Sequence, residues 1–328
     1  MEKIKKIFES PARLANNNKL VNGSKSVASY IFRLIVLCAI GYIIIYPLLY
    51  MISTSVKDKA AFFSSSRIWI PESFGIEFNY GLAMKAISFW DGLSATLLLE
   101  IVAALIEICS CAIVAYGFAR FKFKFKGALM ACLFLTILVP ETMIIIPRVV
   151  NYAKVDFLGI LGLFDQLTGI DLRLKLIGTP FAFWIPSLFA IGLRSGILIF
   201  IYIQFFKNLP HELEEAAWVD GAGPIKTFIK IALPSSTVVI TTVTVFAIIW
   251  HWNDSYLASM YMLEDFPLSV HLDRIYMTLS SMGYYSTRPE TKAIYMAACV
   301  LFVIPPLILY MILQRQFIES IDRVGITG

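Results

Sequence analysis

Six stretches of this 328-residue chain, 31 to 53, 93 to 119, 127 to 149, 181 to 206, 235 to 253 and 292 to 314, are nearly free of charge. Each is long enough to cross about 30 Å of hydrocarbon, which takes roughly 20 apolar residues in a helix. Backbone in lipid has no water to bond, so each run has to satisfy its own amides. The fifth run is rich in Val, Thr and Ile and in water would suggest a strand, but an open strand fails that condition. It is therefore expected to be helix. Composition agrees: 58% of residues are hydrophobic against 16% charged, and the mean hydropathy is +0.74. Soluble, disordered, collagenous and disulfide-scaffold classes are excluded. The expected fold class is an all-α polytopic membrane protein with six transmembrane helices.

Basic residues predict which way the helices run. The polar amino-terminal segment, residues 1 to 30, carries Lys3, Lys5, Lys6, Arg13, Lys19 and Lys25 against Glu2 and Glu9. No short apolar core with a small-residue cleavage site precedes the first run, so no removed signal peptide is expected. Between runs two and three, Arg120, Lys122, Lys124 and Lys126 alternate with phenylalanine. The positive-inside rule puts both segments in the cytoplasm. The 31 to 314 six-helix membrane domain then exposes residues 207 to 234 and the 315 to 328 tail on that side, in a cell membrane. The loops near 54 to 92, 150 to 180 and 254 to 291 are expected outside. Snorkelling lysines and interfacial rings account for the Phe-Lys alternation, so no nucleic-acid partner is expected; membrane lipid is.

Residues 207 to 234 spell a helix, a turn and a second helix. Asn208 is a candidate cap, Pro210 suits a first turn, and Glu212, Glu214 and Glu215 complement the positive helix end. Leu209, Leu213, Ala216 and Ala217 form a narrow apolar face whose small residues allow close approach. Gly221 stops the helix, Gly221-Ala222-Gly223 permits an elbow, and Pro224 opens a second helix reaching Leu233 and Pro234. Three glutamates in four positions would be repelled by an anionic leaflet, so a protein partner is expected.

The spacing Glu215-Ala216-Ala217, three residues, Gly221, nine residues, Ile231, one residue, Leu233-Pro234 resembles the EAA loop of binding-protein-dependent ABC importer permeases. Asp220 before the glycine and Ala222 after it resemble the carbohydrate, maltose-type branch. So do Ala115-Tyr116-Gly117-Phe118-Ala119-Arg120-Phe121 closing run two, Pro140 and Pro147 in run three, and Trp252-Asn253-Asp254 ending run five. The resemblance covers roughly residues 90 to 260. The 159 to 180 segment looks longer than usual for it, so no substrate contact is carried over.

That resemblance implies a permease subunit moving a carbohydrate, an oligosaccharide by expectation, handed over by an extracytoplasmic sugar-binding protein. It also implies a second permease subunit and a separate cytoplasmic ATPase dimer gripping Glu212 to Asp220. Glu215 would anchor, Ala216 and Ala217 would offer a close surface, Leu213 and Trp218 would supply contacts, and Gly221 would fix the angle. A permease for a non-sugar solute and an ATP-independent carrier stay open as alternatives.

The sequence offers no catalytic chemistry of its own. There is no Gly-x-x-x-x-Gly-Lys-Ser/Thr phosphate loop and no nucleophile elbow. His211, His251 and His271 are scattered without metal spacing, so no cofactor or metal is expected. Cys38, Cys109, Cys111, Cys132 and Cys299 read as buried hydrophobes. The charges within the apolar runs need partners, because each costs roughly 2.5 to 3.5 kcal/mol at a helix centre. Glu107 and Arg194 sit at similar depths and are expected to pair. Glu100 shares the face of Glu107, and Glu141 follows Pro140 at an expected kink. Trp184, Trp250 and Trp252 are packing or sugar-stacking candidates. Trp69, Trp90, Tyr284 and Tyr285 in the outer loops are expected to be interfacial anchors.

Overall fold

A computed structural model describes residues 11–62, 69–71, 73–156, 159–169, 171 and 173–325. Lys3, Lys5, Lys6, Glu2, Glu9 and the last residues, 326–328, lie outside the described residues. Helices account for most of the described backbone, and the described residues contain isolated bridges but no strand. In chain order the helices that concern the site are α1 (Pro11–Ser55), α2 (Ile76–Ala86), α3 (Phe89–Arg120), α4 (Lys126–Leu138), α5 (Glu141–Ala153), α6 (Ile160–Thr168) and α7 (Phe181–Leu188). There follow α8 (Ser195–Asn208), α9 (His211–Val219), α10 (Pro224–Ser235), α11 (Thr237–Trp252), α12 (Tyr256–Tyr261), α13 (Leu268–Asp273), α14 (Ile275–Ser281) and α15 (Pro289–Gly325).

Among the described residues three unbroken helices are long and apolar enough to cross a membrane: Ser29–Ser55 within α1, α3, and Pro289–Gln314 within α15. The Val-, Thr- and Ile-rich fifth run is helical, as the lipid argument requires. The third and fourth runs are not single helices. At Val139-Pro140 the chain turns by 102° between α4 and α5. Proline has no amide to continue the ladder, and its ring forces the preceding residue into the extended conformation seen at Val139. The fourth run divides at 189 to 194, where Ala190 and Arg194 adopt left-handed backbone with φ of 56° and 58°.

α3 is the hub. It packs against α7, α8 and α11, while α15 packs against α1, α2 and α11. Small residues make the close approach possible: Ala103, Ala104, Cys111, Ala112 and Ala115 are all buried along α3. Gly196 lets α8 meet α4, since a Cβ there would stand 2.7 Å from Thr136 Oγ1. Most of α1 beyond residue 29 keeps its large apolar side chains exposed, as a lipid-facing helix does. The cysteines divide differently from expectation: Cys111 is buried and Cys299 half-buried, but Cys38, Cys109 and Cys132 lie on outward faces. An apolar run in lipid has no solvent to drive its sulfur inward.

Candidate coupling loop and mid-bundle polar layer

α9 lies across one end of the bundle. Its N-cap is Pro210, in extended backbone; Asn208, the expected cap, instead ends α8. Its other end closes in a Schellman motif, with Gly221 N–H donating to Trp218 O at 3.0 Å and Ala222 N–H to Ala217 O at 2.9 Å. Gly221 has φ +78°, the left-handed conformation that a residue with a Cβ adopts only with strain. The helix thus stops at Gly221 and the chain turns there, as expected. Pro224 stands at the start of α10, as expected, and α10 continues through a π-turn at Phe228–Ala232 before an 80° bend into α11.

The faces of α9 separate differently from the sequence reading. Glu212, Leu213, Glu215, Ala216, Trp218 and Asp220 face outward. Ala217, expected on the contact surface, is buried and seats α9 against the bundle; Ile231 and Leu233 are half-buried and Pro234 is exposed. Trp218 is 49% exposed and Val219 87%, and with Leu213, Ile225 and Ile229 they form an uncovered apolar platform around the elbow.

Glu214, read from sequence as one of three acids serving the helix end, is fully buried. Its carboxylate forms an ion pair with Arg120 Nε at 3.0 Å and accepts the Tyr116 hydroxyl at 3.1 Å. The same guanidinium donates to Leu209 O at 2.6 Å and lies against the His211 ring, 3.0 Å from Nε2. Arg120 is the last residue of α3. The buried pair therefore ties both the start and the middle of α9 to the hub helix. Tyr116, Phe206 and Phe228 pack edge to face or tilted beneath it.

The second feature lies deeper. Glu107 does not pair with Arg194. The two carboxylates of α3 share one imidazole: His251 Nδ1 is 2.8 Å from Glu100 Oε2 and Nε2 is 2.8 Å from Glu107 Oε2. All three side chains are at most 2% exposed. Ser195 Oγ donates to the other oxygen of Glu107, and Ser110 Oγ donates to Ser187 O at 2.5 Å. Glu100 reaches His251 from a π-turn at Thr96–Ile101, where one extra residue per turn rotates the side chain off the regular helical face. Gly192 makes room for the group, because a Cβ there would stand 3.0 Å from the Glu107 carboxyl. Arg194 points elsewhere, over the Trp250 ring at 5.1 Å, and its backbone N–H donates to Glu141 Oε1 at 3.2 Å.

These groups share a level. From the end that carries α9, the 13 residues of α4, 14 of α8 and 16 of α11 rise about 20 to 24 Å before each helix breaks, at 1.5 Å per residue. The breaks place Glu141, Arg194 and Asn253 in one layer with Glu107 and His251. Trp184 donates to Leu98 O and buried Trp252 to Phe302 O, both packing roles; Trp250 borders an open cleft. Sequence reasoning placed Glu100 and Glu107 on one face but missed His251 as their partner. No spacing signal links residues 144 and 151 positions apart.

A family model described as binding-protein-dependent transport system inner membrane component matches residues 110–323. The chain is 26% identical over 284 residues to the sn-glycerol-3-phosphate transport system permease protein UgpE of Shigella flexneri serotype 5b, covering 85% of this chain and 91% of that protein. It is 25% identical to the protein of the same name from Escherichia coli K12, with the same coverage. A solved bacterial ABC transporter involved in the import of the acidic polysaccharide alginate contains a chain of similar fold. There the TM-score is 0.68 at 18% identity, covering 89% of this chain and 98% of that one.

Proposed function

We propose, from the premise that this chain belongs to the family of binding-protein-dependent transport system inner membrane components, that it is the permease subunit of an ATP-binding-cassette importer for a carbohydrate. A separate cytoplasmic ATPase dimer supplies the energy, a second permease subunit completes the pathway, and an extracytoplasmic binding protein delivers the solute. The end carrying α9 faces the cytoplasm, with both termini on that side. The Asp220-Gly221-Ala222 context and the likeness, over 85% of this chain, to an sn-glycerol-3-phosphate transport system permease protein support the carbohydrate assignment.

One observation carries the mechanism: the exposed helix α9 is fixed to the hub helix through the buried Arg120–Glu214 pair. A short rigid helix passes on a displacement that a loose loop would absorb. The ATPase grips Leu213, Trp218 and Val219 around the exposed Glu215 and Ala216, and Gly221 holds the helix at its angle. When the ATPase dimer closes, α9 moves, and Arg120 carries the movement into α3. α3 also bears Glu100 and Glu107, so the displacement reaches the polar layer along one continuous helix.

Crosslinking tests this reading. A cysteine at Val219, in membranes expressing the whole operon, is expected to crosslink to a nucleotide-hydrolysing subunit in an ATP-dependent manner. A carrier acting alone would give no such adduct and would transport in liposomes without ATP.

A further inference from the structure

Where α4, α8 and α11 break, a cleft of about 650 Å³ opens, bordered among others by Glu141, Arg194, Trp250, Asn253, Asp254 and Tyr256. Its chemistry does not suit lipid. Arg194 and Asn253 are exposed at this level and Tyr256 is 41% exposed, although hydrocarbon strongly disfavours an exposed guanidinium. Among the described residues no carboxylate lies within ion-pairing distance of Arg194. The acids beside it are engaged by backbone amides: Glu141 accepts the N–H of Arg194 at 3.2 Å, and Asp254 Oδ1 accepts that of Leu257 at 3.0 Å.

One further observation points to a ligand. Trp250 stacks on Phe246, with ring centroids 5.5 Å apart, and Arg194 lies over the ring at 5.1 Å. The guanidinium thereby lies at the cleft wall with no carboxylate paired to it, placed to serve an oxyanion bidentately. Behind this wall the Glu100–His251–Glu107 group and Ser195 lock α3, α8 and α11 together, as a contact site needs if its side chains are to keep their positions.

We propose that this cleft is the solute-contact site of the subunit, water-filled in the assembled importer. In it Arg194 receives an acidic group of a hydroxyl-rich solute, beside the exposed side chains of Asn253 and Tyr256. The proposal rests on the permease reading and narrows its solute class to acidic carbohydrates or polyol phosphates.

The test uses the assembled importer in membrane vesicles, with the five native cysteines replaced and a cysteine at Asn253 or, as a second position, Tyr256. Recovery of the co-purifying ATPase is scored first, so failure of the permease reading shows separately. Anionic 2-sulfonatoethyl methanethiosulfonate is expected to modify the thiol at least threefold faster than cationic 2-aminoethyl methanethiosulfonate. D-glucuronate at 50 mM is expected to slow that reaction more than equimolar D-glucose, and Arg194→Gln to abolish both differences. Thiols unreactive at both positions would mean that lipid or the second permease covers the cleft. Equal rates for the two reagents, or an anion preference that survives Arg194→Gln, would mean that Arg194 does not serve it. Either result overturns the proposal.

Discussion

The two polar clusters on α3 contrast sharply. At one end Arg120 meets Glu214 beside a helix whose exposed residues carry a spaced motif. Some 20 Å along the same helix, at 1.5 Å per residue, Glu107 and Glu100 meet His251 with no motif around them. The first cluster lies at the border of the bundle and fixes the exposed helix α9 to it. The second is sealed inside and joins helices to one another. An interface needs its residues displayed together along a short segment, whereas a core needs only complementary groups at matching depth. That difference dictates what substitutions should do at each.

Removing His251 should have the largest effect on the fold. His251→Ala would leave two glutamates facing each other without the imidazole between them, and breaking a buried pair typically costs roughly 3 to 5 kcal/mol. The purified complex should lose most of its apparent melting temperature advantage over the unfolded baseline, and folded yield should fall. Near-normal thermal stability would show that the inner cluster is not a pin. Arg120→Met leaves Glu214 buried beside Tyr116 alone and should cost about 3 kcal/mol locally. Here the distinguishing signature is functional: the protein still assembles, but ATP hydrolysis proceeds with little uptake. Equal loss of assembly and uptake would erase the contrast between the clusters.

Gly221→Val is a smaller change. A β-branched residue at φ +78° costs about 1 to 2 kcal/mol, enough to shift the elbow without unfolding the chain, and Gly221→Asn should be milder because asparagine tolerates this backbone. Uptake per ATP, measured on both variants, should fall in the order Gly, Asn, Val. A flat series would remove the elbow from the mechanism.

The smallest effect is expected at the opposite end, in the 159 to 180 segment. There Arg173 bonds Asp171 at 2.7 Å and Asp165 at 2.7 Å on the surface. Hydrogen bonds from the Arg173 side chain and backbone hold the Asp171 carboxyl well below the usual aspartate range. A depressed carboxylate stabilises the segment above its unfolded pKa, and that contribution disappears only as the pH falls through the folded value. Between pH 5 and pH 8, about one unit or more above the ordinary aspartate pKa of about 4, Asp171→Asn should therefore leave the pH profile of uptake flat. A new pH dependence in that window would give this pair a role beyond local order.

The same contrast explains what could be read from the chain beforehand. The apolar runs, the helical state of the Val- and Thr-rich fifth run, the Gly221 elbow and the Pro224 start all follow from local rules of backbone and solvent. The third run also announced its kink at Pro140, although not that the chain would turn through 102°. The fourth run gave no warning, because its break at Ala190 and Arg194 depends on left-handed backbone at residues that are not glycine. Depth alone paired Glu107 with Arg194. His251, on a different helix, lies at the same depth and satisfies both glutamates, while Arg194 finds the Trp250 face. Glu214 looked like its neighbours Glu212 and Glu215. Only its position on the inner side of α9, one residue from the motif's own glutamate, puts it against Arg120.

The central claim is that Arg120 and Glu214 carry ATP-driven movement of α9 into α3, and a charge exchange tests it most directly. Uptake per ATP hydrolysed should be measured in proteoliposomes for Arg120→Glu, Glu214→Arg and the two combined. At least a tenfold loss of coupling is expected in each single variant, with most of it recovered in the double. Single variants that assemble and transport at the normal ratio would contradict it.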